Sequence, residues 1–158
     1  MALKYIAYGS NLLTQRITER IGNVNLIGAR KLEGWALSFN KLGKDGSGKC
    51  TLVKSRSKSA FGAVYEISKN QKLVLDEYET GYDTISFSIS KVGECITYIA
   101  RPSQLANNIQ PFDWYKYLVL AGARQHGFPK HYIMTIEKVT AMPDPDLDRV
   151  RRIQEIFK

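Results

Sequence analysis

Apolar and polar residues alternate over many short stretches of the chain, and this period of two is typical of β-strands. β-Branched and aromatic residues are frequent in these stretches, and turn-forming residues separate most of them. The pattern predicts seven strands, over residues 3–8, 25–31, 35–41, 50–53, 61–67, 84–91 and 94–100.

Apolar residues repeat every three to four positions in other stretches, which predicts α-helices. Gly22 ends the first helix, and Ser68 with Gln71 forms a capping box at the start of the second. Asp144 is the expected N-cap of the last helix, with Pro145 in its first position. The predicted helices cover residues 14–21, 69–78, 114–126 and 145–157.

The order of these elements, strands first with helices inserted and then appended, favours the α+β class. We expect a curled mixed β-sheet or a small β-barrel flanked by helices. The 158 residues, 44% of them hydrophobic, suffice for one core and predict a single domain over residues 1–158. Lys4 and Gly9 interrupt any signal-like N-terminus, and no apolar run matches a membrane span, so we expect a cytoplasmic protein.

Charge is unevenly distributed along the chain. The net charge is +8, and residues 1–60 carry eleven Lys and Arg against three acids, while residues 61–158 carry twelve of each sign. Three interpretations stay open: a nucleic-acid surface, a basic rim that attracts small carboxylate ligands, or a solvated face with no partner. Few aromatic residues lie within the basic run 41–58, which disfavours nucleic-acid binding by stacking.

The segment Gly43–Cys50 reads GKDGSGKC and is close to a phosphate-binding loop. Such a loop needs a helix directly behind it, and its last position needs a hydroxyl that Cys50 does not offer. The residues that follow instead predict a strand, so this segment is interpreted as a hairpin connection. Cys50 and Cys95 both lie in predicted strands, which favours reduced, buried thiols over a disulfide or a metal pair.

Candidate metal ligands and protein nucleophiles are scarce. His126 and His131 are separated by Gly127 and Pro129, so no helix presents both to one metal, and His126 is interpreted as a helix-end residue. No serine or cysteine stands in a nucleophile-elbow sequence. If the protein is an enzyme, its chemistry should need neither a metal nor a protein nucleophile, and no cofactor is expected.

Two acids stand at the end of the second predicted helix. Asp76 and Glu79 are three residues apart, on one face and near the negative end of the helix dipole, and both effects disfavour ionisation. A carboxyl group with a raised pKa is suited to general base catalysis near neutral pH. The alternative is an acidic helix end exposed to water.

Three motifs together resemble the gamma-glutamylcyclotransferase family. YIAYGSNLLTQRI at residues 5–17 is similar to its signature of a strand ending in Y-G-S-N-L before a short helix. LDEYE at residues 75–79 is similar to the family's L-D-x-x-E. The DWYK, AGA and HGFP sequences between residues 113 and 129 resemble the AIG2-like, bacterial branch in particular. After Glu79 the chain departs from many relatives, with Thr80 where they have glycine.

The resemblance implies an enzyme that cleaves gamma-glutamyl amides. In this family the glutamyl alpha-amine attacks its own gamma-carbonyl and releases 5-oxoproline with a free amino acid or amine. Glu79 matches the catalytic glutamate, which would act as general acid and base. The resemblance implies substrate-binding residues at Tyr5, Ile6, Ala7, Tyr8, Gly9, Ser10, Asn11 and Tyr115, with Tyr82 and Tyr98 as weaker candidates.

The turn Gly9-Ser10-Asn11 has two interpretations. Its backbone N–H groups could form a cradle for a substrate carboxylate or for an oxyanion, or Ser10 or Asn11 could simply cap a helix. The expected partner is a small gamma-glutamyl molecule, with no membrane, while nucleic acid is disfavoured and both a monomer and a homodimer stay open. Two other functions stay open: the same fold acting on another gamma-glutamyl amine, and a non-catalytic binding module that uses its basic N-terminal third.

Overall fold

The computed structural model describes residues 2–158, and its centre is a mixed β-sheet. One strand, β1, lies in the middle and pairs antiparallel with β3 and parallel with β5. Within residues 2–158 the sheet has the order β2-β3-β1-β5-β4 and is open, so the curled-sheet expectation is confirmed and the closed barrel is not. The strands are β1 (Ala2–Ala7), β2 (Asn25–Leu42), β3 (Gly48–Ser68), β4 (Tyr82–Ile89) and β5 (Gly93–Ala100).

Strands β2 and β3 form one long hairpin where the sequence pattern predicted four separate strands. The pairing runs from Asn25 opposite Glu66 to Leu42 opposite Gly48. A break was expected near Gly34, but this glycine has φ +83° and a register shift lies between Glu33 and Trp35. The irregularity is thus absorbed as a bulge, and the strand continues through it.

The far half of this hairpin curls towards the other edge of the sheet. The ring of Trp35 in β2 lies 5.7 Å from that of Phe87 in β4, centroid to centroid. The Tyr82 hydroxyl donates to the Cys50 carbonyl at 2.7 Å, and the Ala100 N–H donates to Thr51 Oγ1 at 3.0 Å. The curl therefore brings the hairpin end over β4 and β5.

The helices flank this sheet, and two of them have the bounds that the sequence predicts. The Ser68–Gln71 capping box is present, and Gly22, at φ +85°, ends the first helix. The fourth helix was not predicted; Pro129 is its N-cap and supplies the break from the third helix. The helices are α1 (Thr14–Ile21), α2 (Lys69–Tyr78), α3 (Asp113–Gln125), α4 (Lys130–Glu137) and α5 (Leu147–Gln154).

The start of α5 differs from the prediction. Asp146, not Asp144, is the N-cap, and its side chain accepts the Arg149 N–H at 3.0 Å. Asp144 is buried and accepts hydrogen bonds from Arg149 and Trp114 side chains instead. Its carboxylate is occupied by tertiary contacts, which local sequence signals do not reveal.

The core fixes the end of β1 relative to α3. A 3₁₀ turn, Ser10–Leu12, follows β1, and a β-carbon on Gly122 of α3 would lie 2.5 Å from Leu12 Cβ. Helix and turn are therefore in direct contact. Cys50 and Cys95 are free and buried, as expected. Between residues 2 and 158, no helix combines the length and apolar character needed to span a bilayer.

Candidate active site

A cavity of about 240 Å³ lies where the end of β1, the end of α2 and the β2–β3 hairpin meet. Ile6 and Ala7 are fully buried in the core and do not line this cavity. All other candidates from the sequence are brought together here: Tyr5, Tyr8, Gly9, Ser10, Asn11, Glu79, Tyr82, Tyr98 and Tyr115.

The turn after β1 presents unused backbone donors to the cavity. Ser10 and Asn11 open the 3₁₀ turn, and no acceptor in residues 2–158 takes their backbone N–H groups. Neither side chain caps this turn or α1, so the simple capping interpretation is wrong. A β-carbon on Gly9 would lie 2.9 Å from Cys50 Cβ, so only glycine allows the turn to pack this closely on β3.

Glu79 is the C-cap residue of α2, and its carboxylate is turned towards the turn. Its Oε1 accepts from Asn11 Nδ2 at 3.1 Å. The same Asn11 amide donates to the Tyr5 hydroxyl at 3.1 Å, and its Oδ1 accepts from Arg20 Nη1 at 3.2 Å. The Asn11 side chain thus forms hydrogen bonds with Glu79, Tyr5 and Arg20.

Burial raises the pKa of Glu79 above its ordinary value, while the charges of Arg20 and Lys41 and the Asn11 hydrogen bond act in the opposite sense. The predicted direction is confirmed for Glu79 and is wrong for Asp76. That side chain accepts from Lys72 Nζ at 2.6 Å and from the Tyr98 hydroxyl at 2.5 Å. Burial would raise the pKa of Asp76, but these hydrogen bonds outweigh it and the pKa is lowered.

The cavity tyrosines are held by hydrogen bonds within the protein. Tyr115 and Tyr82 both bind the backbone of Cys50. The Tyr115 hydroxyl accepts the Cys50 N–H at 2.9 Å, and the Tyr82 hydroxyl donates to the Cys50 carbonyl. The Tyr8 hydroxyl donates to the Tyr98 carbonyl. These contacts fix the cavity walls. The Tyr5 hydroxyl accepts from Asn11, and no acceptor in residues 2–158 takes the proton of this hydroxyl.

Five cations line the cavity against two acids, Asp45 and Glu79. Lys49 is paired with Asp45 at 2.9 Å and lies over the rings of Trp114 and Tyr115. The balance favours an anionic ligand. The sequence analysis did not single out these side chains, although all belong to the basic first third: Arg16, Arg20, Lys41, Lys44 and Lys49.

The GKDGSGKC segment is a hairpin connection, as the sequence predicts. Asp45 accepts the Ser47 N–H and hydroxyl, at 3.0 and 2.6 Å, and β3 begins at Gly48. No helix follows this loop, so it is not a nucleotide-phosphate loop of the usual kind. It nevertheless supplies one wall of the cavity, through Gly43, Lys44 and Asp45.

His126 is the C-cap residue of α3 and belongs to the support of the turn. Its Nε2 lies 2.6 Å from the Leu12 carbonyl oxygen and 3.1 Å from the Tyr65 hydroxyl. It therefore ties the end of α3 to the residue that closes the 3₁₀ turn. Within the described residues 2–158, no group of three or more His, Cys, Asp or Glu could hold a metal ion.

The chain is similar in sequence to one family of known proteins. The model of the AIG2-like family matches residues 59–136. The chain is 32% identical over 140 residues to a gamma-glutamylcyclotransferase of Bos taurus, covering 81% of this chain and 73% of the relative. It is 30% identical over 141 residues to the gamma-glutamylcyclotransferase of Homo sapiens, with the same coverage.

The fold is shared as well. A solved structure of a gamma-glutamyl cyclotransferase superposes with a TM-score of 0.81, covering 98% of this chain and 99% of the other, at 22% identity. Almost every element described above therefore has a counterpart in that fold.

Proposed function

Because the chain belongs to the gamma-glutamylcyclotransferase family and is an enzyme, we propose that it cleaves gamma-glutamyl amides by cyclisation, releasing 5-oxoproline and a free amino acid or amine. The observation that carries this proposal is the pairing of Glu79 with the turn after β1. Asn11 binds the Glu79 carboxylate through its side chain, while the backbone N–H groups of Ser10 and Asn11 have no protein acceptor in residues 2–158.

Glu79 is the proton carrier of the proposed reaction. A free alpha-ammonium has a pKa of about 8, so at neutral pH it must lose a proton before the amine can attack. The raised pKa of Glu79 makes its carboxylate a better acceptor for that proton than an ordinary glutamate would be.

The covalent step involves two bonds of the substrate. The freed amine nitrogen bonds to the gamma-carbonyl carbon, and the carbonyl becomes a tetrahedral oxyanion. The bond from this carbon to the leaving nitrogen then breaks as Glu79 returns its proton to that nitrogen. The ring nitrogen passes its second proton to the departing amine, so 5-oxoproline is left with a neutral lactam N–H and the amine leaves as an ammonium ion. No atom of the protein is bonded to the substrate at any point.

The turn amides are suited to the charge that develops during this step. Backbone N–H groups that are fixed in place before the reaction stabilise an oxyanion at no cost in reorganisation. We assign the Ser10 and Asn11 amides to the oxyanion, and the nearby Arg20 guanidinium to the alpha-carboxylate of the glutamyl group. Arg20 lines the cavity and is held there by the hydrogen bond from its Nη1 to Asn11.

Positioning supplies much of the proposed rate enhancement. Well-oriented intramolecular reactions gain on the order of 7 to 11 kcal/mol from holding the reacting groups together. The cavity walls fixed by Tyr82, Tyr98 and Tyr115 are suited to keep the glutamyl chain bent in this way. A small enclosed site is enough, because one substrate carries both reacting groups.

The proposal is tested by measuring 5-oxoproline released from gamma-glutamyl dipeptides by the purified protein. Glu79→Gln should lower kcat by about 10³-fold, within the range of general acid–base catalysis. Glu77→Gln, an exposed glutamate on the same helix, is the matched control and should retain full activity. Circular dichroism checks that both variants are folded, and a folded Glu79→Gln variant with unchanged turnover would remove Glu79 from the mechanism.

A further inference from the structure

Lys41 is a buried cation without a protein partner. Only 4% of this residue is exposed, although it lies in β2 at the edge of the cavity. Within residues 2–158, no side-chain or backbone oxygen accepts a hydrogen bond from its ammonium group, and it forms no ion pair. Lys49, eight residues further along the chain, is paired with Asp45 at 2.9 Å and shows the arrangement that Lys41 lacks.

The position of this ammonium group is fixed by the turn after Glu79. Lys41 Nζ lies 5.0 Å from the centroid of the Tyr82 ring, and a β-carbon on Gly81 would be 2.9 Å from it. Gly81 has φ +85° and thus leaves room for the lysine. The turn after Glu79 therefore leaves room for the Lys41 ammonium group at Gly81, two residues beyond Glu79.

The ammonium group of Lys41 is reached from the cavity, but it is partly desolvated and no anion of the protein is paired with it, which is unfavourable. Burial lowers the pKa of Lys41, and the charge of Glu79 only partly opposes this. Glu79 is assigned to proton transfer in the proposed reaction, so its charge is not a permanent partner for Lys41. We therefore expect a ligand to supply the anion that pairs with the Lys41 ammonium group.

Arg20, a second cation near Glu79, contacts different residues from those that Lys41 contacts. Arg20 donates to Asn11 and lies over the Tyr78 ring at 4.6 Å, whereas Lys41 contacts Gly81 and Tyr82. A gamma-glutamyl amino acid carries two carboxylates, one on the glutamyl group and one on the leaving group. Two cations held by separate sets of contacts, Arg20 and Lys41, match this distribution of charge.

We propose that Lys41 binds the carboxylate of the leaving amino acid and so makes the enzyme selective for gamma-glutamyl amino acids over gamma-glutamyl amines. The proposal rests on the proposed function. The Arg20 side of the cavity holds the turn amides and the reacting end of the glutamyl group. The leaving group then extends towards the β2–β3 hairpin, where Lys44 is exposed at the cavity mouth.

The test compares gamma-glutamyl-alanine with gamma-glutamyl-ethylamide, which has the same leaving amine without its carboxylate. Wild-type kcat/KM should be about 10- to 100-fold higher for the alanine substrate, the value of one charge-assisted contact. Lys41→Met should reduce this ratio to about 1, and Lys41→Arg should keep most of it. Lys54→Met, which removes an exposed lysine of β3 outside the cavity, should leave the ratio unchanged.

Binding to the Glu79→Gln protein separates this proposal from the proposed function. Calorimetry should show tighter binding of gamma-glutamyl-alanine than of the ethylamide, and Lys41→Met should abolish the difference. If wild type releases no 5-oxoproline but this binding difference is present and depends on Lys41, the proposed function fails and the role of Lys41 stands.

Thermal unfolding distinguishes recognition from a structural role. Lys41→Met should not lower the melting temperature and is expected to raise it, because an unpaired buried charge is removed. Equal loss of activity on both substrates, or an unchanged ratio in folded Lys41→Met, would overturn the proposal. A lower melting temperature with an unchanged binding difference would do so as well.

Discussion

Two acidic side chains of this protein are turned inward, and the groups around them differ. Asp144, before α5, accepts from Arg149 Nε and Nη2 at 2.6 Å each, from Trp114 Nε1 at 2.8 Å and from the Asp146 N–H at 2.9 Å. Glu79, at the end of α2, accepts one side-chain hydrogen bond, from Asn11. The Arg149 hydrogen bonds hold the pKa of Asp144 well below its usual range, whereas burial raises the pKa of Glu79.

The comparison shows that the number of donors, more than burial, decides what an inward-facing acid can do. A carboxylate with four donors is stabilised as an anion and fastens α5 to α3 through Arg149 and Trp114. A carboxylate with one donor is a ready proton acceptor and contributes little to the fold. The predictions below test whether stability and catalysis separate along this line.

The largest expected effect on stability is that of Asp144→Asn. It should lower the free energy of unfolding by about 3 kcal/mol, because Arg149 is left without its anion and a buried ion pair is broken. Urea denaturation at pH 7 measures this loss, and the activity per folded molecule should not change because Asp144 lies outside the cavity.

Asp148→Asn is the matched control for that experiment. Asp148 is an exposed acid in α5, the helix that follows Asp144. Its side chain is 77% accessible, and its ion pair with Arg151 spans 3.4 Å. Its loss should change the free energy of unfolding by less than about 0.5 kcal/mol. Equal effects of the two substitutions would mean that the Asp144 contacts do not stabilise the fold.

A smaller effect, opposite in sign, is expected for the stability of Glu79→Gln. The folded-state pKa of Glu79 is raised, so wild type loses stability as the pH rises through that pKa, and the loss is absent below the ordinary value of 4.5. The variant should therefore be more stable than wild type at pH 7, by on the order of 1 kcal/mol, and equally stable at pH 4.

The Asp144 pair should show the reverse dependence on pH. Its stabilisation is fully present above the ordinary pKa of 3.8 and is lost as the pH falls through the lower folded-state pKa. Urea curves at several pH values between 1 and 8 measure both dependences on the same protein. A Glu79→Gln variant that is less stable than wild type at pH 7 would show that Glu79 serves the fold.

Local signals in the sequence predicted the helices that depend on them. Gly22 and the Ser68–Gln71 box gave the bounds of α1 and α2 because capping is a matter of neighbouring residues. The start of α5 could not be predicted in this way. Asp144 contacts Trp114, thirty residues earlier in the chain, and this tertiary contact leaves Asp146 to cap the helix.

The candidate site shows the same division. Glu79 and the turn residues Gly9, Ser10 and Asn11 could be identified because they lie in short motifs. Lys41 could not, because the role proposed for it depends on the hairpin curling over Gly81, forty residues later in the chain. The only sequence signal for it was the excess of positive charge in the first third, and one of the three interpretations offered there, attraction of carboxylate ligands, is the one that the cavity favours.

Asp76 offers the smallest expected effect and sharpens the comparison. If its charge raised the pKa of Glu79, as the helix spacing predicts, Asp76→Asn would move the acidic limb of the kcat/KM profile to lower pH. We expect no such movement and less than a twofold change in kcat/KM, because the carboxylate faces Lys72 and Tyr98. Asparagine keeps an oxygen acceptor for the Tyr98 hydroxyl, so the cavity wall is preserved. A shifted limb, with Glu77→Gln again as the unshifted control, would mean that the two acids are coupled and that donor number alone does not set the pKa of Glu79.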